Sequence, residues 1–197
     1  MDLQTFQKAL ARHLHPVLRR EGFKGSGATL RRVAVPLVHV FNLQGSTGAD
    51  RCYLNLGVQL DFLAAGRARP LDKLLEYECE FRTRIDSAGA DRAWHYGETQ
   101  AQCEAAALAA VDAWESQARP WFARLSRWPE DFVALVDAFD LDEGHPAKGR
   151  TMATIAVRLG DTPRARAIAE ASLARTSERA SGPRHNLQQL LATLPPA

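Results

Sequence analysis

The run Cys52-Tyr-Leu-Asn-Leu-Gly-Val-Gln-Leu-Asp-Phe62 decides the fold. One face carries Cys52, Leu54, Leu56, Val58, Leu60 and Phe62, and the other carries Tyr53, Asn55, Gly57, Gln59 and Asp61. This two-residue alternation is that of a half-buried β-strand. The preceding run, Val38-His-Val-Phe-Asn-Leu-Gln44, places Phe41 and Leu43 on one side and Asn42 and Gln44 on the other. Joined through 45–51, the two runs predict an antiparallel pair with one apolar and one amide-rich face.

Further strands flank the pair. Thr29 to Val35 is strand-like and stops at Pro36, which cannot donate to a ladder. Glu76 to Asp86 alternates as well, with Tyr77, Cys79, Phe81, Thr83 and Ile85 predicted inward against Glu78, Glu80, Arg82 and Arg84. Loops are expected at 64–70 and 87–91, with a short helical turn at Leu71 to Leu75. Trp94-His95-Tyr96 is an aromatic-polar cluster suited to an edge strand or a pocket rim.

Helices cover this sheet. Leu3, Phe6, Leu10, Leu14 and Leu18 recur at spacings of three and four, bent or restarted at Pro16 and stopped at Gly22. From Glu98 to Arg119 the positions Cys103, Ala107, Val111, Trp114 and Ala118 keep helical spacing, and Pro120 is expected to interrupt them. Trp128-Pro129-Glu130-Asp131 opens a short helix with acids in its first turn. Beyond the acidic loop 140–146, Leu159-Gly160-Asp-Thr-Pro163 separates two apolar helical stripes, the grammar of an antiparallel helix pair with Thr162 as the cap. The pair resembles one tetratricopeptide-type hairpin, but no second copy follows at a fixed period.

The expected class is α+β: an antiparallel sheet packed against an N-terminal helix and a long central helix, then an all-helical C-terminal extension. The expected division is 1–139 for the sheet domain and 147–197 for the extension.

Composition sets bounds. With 197 residues, 46% hydrophobic, the chain can bury a real core. A net charge of +2 is too small for strong bulk attraction to nucleic acid or an anionic membrane. Positive charge does collect between Lys148 and His185, where Lys/Arg at 148, 150, 158, 164, 166, 175, 179 and 184 face only Asp161, Glu170 and Glu178. Three cysteines with no CxxC argue against a disulfide framework and for a reducing cytoplasm. No segment has the apolar length of a membrane span, and the N-terminus has no signal-like pattern.

Candidate chemistry is sparse. His13 and His15 point about 200° apart on a helix, and no HxxxH or CxxC supplies a ligand pair, so neither metal nor cofactor is expected. Gly22-Phe-Lys-Gly-Ser-Gly27 precedes a strand rather than a helix and lacks the ending of a phosphate loop. Neither Gly45-Ser46-Thr47-Gly48 nor Gly25-Ser26-Gly27 matches a nucleophile elbow. What remains is the polar sheet face. Gln44, Asn55, Gln59, Asp61, Glu78, Arg82 and Arg84, with Trp94 and His95 beside them, form the expected binding face.

Phe6…Leu10…Leu14…Leu18…Gly22-Phe23, the pair Arg31/Arg32 opening a strand, Phe41-Asn-Leu-Gln44, Tyr53-Leu-Asn-Leu-Gly57-Val58 and Phe81-Arg-Thr-Arg-Ile85 together resemble a bacterial family known as domain of unknown function 4304. The resemblance covers roughly residues 1–127 and implies an α+β domain, with no reaction or catalytic residue attached. The functional expectation is a non-enzymatic binding module of the bacterial cytoplasm, taking another protein or a small polar ligand on the polar sheet face. The alternative is a small hydrolase-type enzyme with its site near the same face. Nucleic-acid contact through the basic C-terminal helices ranks lower, because their arginines lack interleaved exposed aromatics.

Overall fold

Asp2 opens the first helix, α1 (Leu3–His13), by accepting a hydrogen bond from the backbone N–H of Thr5 at 2.8 Å, which satisfies one of the orphan donors of the first turn. Pro16 restarts the chain as α2 (His15–Arg20), and Gly22 then takes a left-handed φ of 88° to turn into the sheet. Phe6, Leu10, Leu14 and Leu18 of this stripe are buried. The computed structural model describes residues 1–46, 50–64, 70–87 and 93–195; the loop expectations at 47–49, 65–69 and 88–91 lie outside the described residues.

Six antiparallel strands follow: β1 (Lys24–Ser26), β2 (Thr29–Ala34), β3 (Leu37–Gly45), β4 (Arg51–Leu60), β5 (Phe81–Ile85) and β6 (Trp94–His95). Their order is β1-β2-β3-β4-β5, with β6 pairing the start of β4 beside β5. The register sets Phe41 opposite Leu56 and Leu54 opposite Ile85, so the apolar face anticipated from the 52–62 run is continuous across three strands. Leu54, Leu56, Val58 and Leu60 are all buried.

That face packs under α1 and a long helix built in three parts: α3 (Gln100–Ala113), a π-helical turn (Trp114–Ala118) and α4 (Arg119–Ala123). Thr99 and Gln102 form a reciprocal capping box at its start. Pro120 was expected to interrupt the helix; instead the wide π turn ahead of it continues the axis, since a proline has no N–H and needs no acceptor behind it, and the looser turn relieves its ring. Trp114 on that turn packs against Phe23, Phe41 and Phe122 at centroid distances of 5.6, 6.0 and 5.7 Å.

The strand expected over Glu76 to Asp86 needs correction. Only Phe81–Ile85 is strand, and the chain before it makes short 3-10 turns at Leu71–Lys73 and Glu76–Glu78. This strap crosses the outer face of the sheet, where Leu74 and Cys79 pack on Val38 and Val40. Alternating residues imitated a strand here because the strap buries every second or third side chain against a flat surface; Tyr77, expected inward, is 63% exposed. Phe81, expected inward, is only half-buried, as the first residue of an edge strand.

By its contacts the chain divides into two compact units, Met1–Ser126 and Arg127–Ala197. In the second, α5 (Glu130–Asp137), α6 (Pro146–Leu159), α7 (Thr162–Arg175) and α8 (Ser181–Thr193) pack together. The helix α5, assigned from sequence to the sheet domain, packs on α6. Gly160 ends α6 in the left-handed conformation, and the cap of α7 is Asp161 rather than Thr162, its carboxylate accepting from Arg164 N. Arg164 also donates to the carbonyls of Val136, Asp137 and Phe139, closing the end of α5.

Candidate functional site: the polar corner of the sheet

The outer sheet face is split by the strap. Toward one end Gly57 lets the strap come down: a Cβ there would lie 2.7 Å from Cys79 Sγ and 3.3 Å from Glu76 O. Glu76, 5% exposed, sits over the sheet and accepts from Arg82 Nε at 2.6 Å. That bond holds the Arg82 guanidinium further above its ordinary pKa. Arg82 is therefore an anchor of the strap.

The other end is open. Thr29, Asn42, Asn55 and Arg84 are directly paired across β2, β3, β4 and β5. Asn42 donates to Thr29 Oγ1 at 2.9 Å. Asn55 donates to Gln44 Oε1 at 2.8 Å and accepts from Arg84 Nε at 3.0 Å. The Arg84 guanidinium also lies 4.3 Å from the centre of the Tyr53 ring. No carboxylate pairs with Arg84 among the described residues, so its terminal N–H groups face outward, oriented but without a counter-charge.

Around the open edge of β5 this corner continues into a cleft of about 370 Å³, lined by Thr83, Arg84, Gln117, Trp121 and Arg124. Gln117 on the π turn fixes one wall by accepting from Asp86 N at 2.9 Å and donating to Asp86 O at 3.0 Å, the pairing a further strand would have made. The π turn thus serves to aim a side chain at the sheet edge. Arg124 is exposed, and its side chain makes no hydrogen bond or ion pair among the described residues.

The structure brings together only part of the expected set. Gln44, Asn55 and Arg84 form one hydrogen-bonded group. Gln59 is fully buried, accepting from Glu80 N at 2.8 Å, and Glu78 caps Leu75 N at 2.8 Å. Asp61 begins a 3-10 turn and accepts from Phe62 N. Trp94 is buried and donates from Nε1 to Ile85 O at 3.0 Å, while exposed His95 stands 3.7 Å from Asp50. Sequence reasoning missed Tyr53, Thr83, Gln117, Trp121 and Arg124. Tyr53 was legible, being two residues from Asn55 on the same strand face; the others come from a helix whose rotation the sheet pattern does not fix.

Burial shifts the titratable groups near the core. Burial pushes the Cys52 thiol up to about 12, and Tyr96, donating to Arg51 O at 2.6 Å, is also pushed up to about 12. Cys103 is raised by burial too. His39 faces the other side of the sheet, where burial, then Arg32, lowers it to about 4. Several C-terminal arginines are occupied: Arg166 donates to Leu194 and Pro195 carbonyls, Arg175 to Ala171 and Asp142, and Arg184 to Leu173 and Thr176. Among the described residues no three His, Cys, Asp or Glu side chains are grouped for a metal, and no helix is long and apolar enough to cross a membrane.

A family profile described as a domain of unknown function (DUF4304) matches residues 14–124, more than half of the chain. The chain belongs to the DUF4304 family. The matched stretch holds the whole sheet, the strap, the π turn and the cleft residues through Arg124, so the polar corner lies wholly inside the DUF4304 domain. No curated protein and no solved structure matches the chain.

Proposed function

We propose that the DUF4304 domain is a non-enzymatic binding module that receives a carboxylate-bearing segment of another protein at the polar corner of its sheet. The observation that carries this reading is Arg84: it is held by an amide and an aromatic face, with no acid to neutralise it. An oriented guanidinium holds a carboxylate through two parallel bonds, and here orientation is supplied before the partner arrives. Arg124 and Thr83 across the edge add a second cation and a hydroxyl, and Trp121 adds an apolar wall.

The test is a pull-down from the native host, comparing the parent with Arg84→Glu and with Arg124→Glu. A specific partner should be recovered by the parent and lost by both variants, while melting temperatures stay within a degree or two. A partner that survives both substitutions, or no partner for the parent, would reject the reading. Arg82→Glu is the wrong probe, since it attacks the strap.

A further inference from the structure

A second cleft of about 300 Å³ opens between the α1–α2 pair and the β1–β2 turn. Gln4, Gln7, Lys8, His15 and Arg19 reach it from the helices, and Ser26 from the end of β1. The helical residues recur three, four or seven or so positions apart, so the stripe that lines the cleft runs through the restart at Pro16. Gly27, at φ 70°, closes the far side; a Cβ there would lie 3.3 Å from Gln7 Nε2, so its bare backbone leaves the amide its place at the rim.

The charge in this cleft is one-sided. No Asp or Glu lines it, and neither Lys8 nor Arg19 has an ion pair among the described residues. His15 is 2% exposed, and its imidazole has no hydrogen-bond partner among the described residues. Its ring nitrogens are not sealed from water, so the polar edge of the imidazole opens on the cleft and is free to donate there. Burial first, then Arg19, keeps its pKa below the ordinary value, so the ring presents a neutral N–H rather than a third charge.

We propose that this cleft binds a small phosphomonoester. Such a group is close to doubly negative at neutral pH, which Lys8 and Arg19 match in number. Its three terminal oxygens call for donors from several sides, and the imidazole, the Ser26 hydroxyl and the glutamine amides supply them beside the two cations. A carboxylate, planar and singly charged, would leave part of this set unused. The cleft volume sits at the lower end for ligand sites, room for a phosphate and a small polar body. The site is separate from the Arg84 corner and does not rest on the reading given for it.

The experiment is a titration of the full chain followed by His15 imidazole and Ser26 and Gly27 amide resonances. Glycerol phosphate should give a saturable shift at all three, at least tenfold tighter than acetate. The double variant Lys8→Gln with Arg19→Gln alters exposed side chains only, and its melting temperature verifies that it folds; it should weaken the binding at least tenfold. Absence of a saturable shift would overturn the proposal, as would equal binding by the double variant. Acetate binding as tightly as glycerol phosphate would overturn the phosphate assignment, and so would equal binding of a short oligonucleotide lacking terminal phosphates.

Discussion

The guanidinium of Arg84 stands 4.3 Å above the ring of Tyr53, while Arg82, two residues earlier on the same strand face, is bonded to Glu76 at 2.6 Å. Two arginines that look interchangeable in Phe81-Arg-Thr-Arg-Ile85 thus do different work, one holding the strap and one facing outward.

Stability should separate them. Arg82→Glu leaves the almost fully buried Glu76 carboxylate facing another acid, and a loss of about 2 kcal/mol is expected once the half exposure of Arg82 is discounted. Arg84→Glu removes a surface stacking contact and should change stability by less than about 1 kcal/mol. Urea unfolding of both variants reads the difference directly. Equal losses would mean that Arg84 is as structural as Arg82.

Gly57 tests the strap. In Gly57→Ala the new methyl meets Cys79 Sγ and Cβ within 3 Å, and the strap has to lift. A cost of roughly 1–3 kcal/mol follows from such overpacking, with faster amide exchange through Leu74–Cys79 and easier thiol labelling of Cys79, which is 6% exposed in the parent. Unchanged exchange in that segment would show that the strap does not depend on the bare backbone of Gly57.

The strand pattern made the sheet legible because an antiparallel strand with one buried face leaves its period in the residues themselves, and Cys52 to Phe62 keeps it for eleven positions. The N-terminal stripe was legible for the same reason at a period of 3.6. The strap was not. Tyr77, Cys79 and Phe81 alternate with charges as a strand would, and nothing local marks that Glu76 turns inward to meet Arg82 six residues on. Nor does Pro120 announce a π turn; a proline in a helical pattern ordinarily marks a break, and here packing of Trp114 on Phe23 and Phe41 kept the axis continuous. Of the binding face, Gln44, Asn55 and Arg84 could be grouped from strand phase alone, whereas Arg124 and Trp121 depend on where the helix crosses the edge.

Acid should destabilise the sheet unit through His39. Its Nε2–H donates to Leu125 O at 3.0 Å, its Nδ1 is buried without a partner, and burial favours the neutral ring. The folded state keeps the ring neutral down to about pH 4, whereas the unfolded chain protonates it near 6.5. Between those values the unfolded state binds more protons, so stability falls as pH drops through the window, by on the order of 3 kcal/mol for this residue. His15, lowered by burial, acts in the same direction. Denaturant unfolding between pH 7.5 and 4.5 should show the loss in the parent and a shallower slope in His39→Phe. Identical slopes would remove His39 from the account.

The helical unit offers a contrast between two glycines. Gly149 on α6 is buried against α7 so closely that a Cβ would fall 2.5 Å from Ser172 Cβ, an atom fixed to the backbone that cannot swing away as the hydroxyl could. The α6–α7 approach therefore requires glycine, although glycine inside a helix costs roughly 1 kcal/mol relative to alanine. In Gly149→Ala the helix-propensity gain is outweighed by the forced separation of the two helices, and a net loss of roughly 1–3 kcal/mol is expected. Gly182, in the first turn of α8, has nothing within 4 Å of the same position beyond its chain neighbours, so Gly182→Ala meets only the crowding of a residue ahead of Pro183 and should be close to neutral. Thermal melts of the two variants should leave only Gly149→Ala displaced; a Gly149→Ala protein as stable as the parent would show that α6 and α7 are not held at this contact.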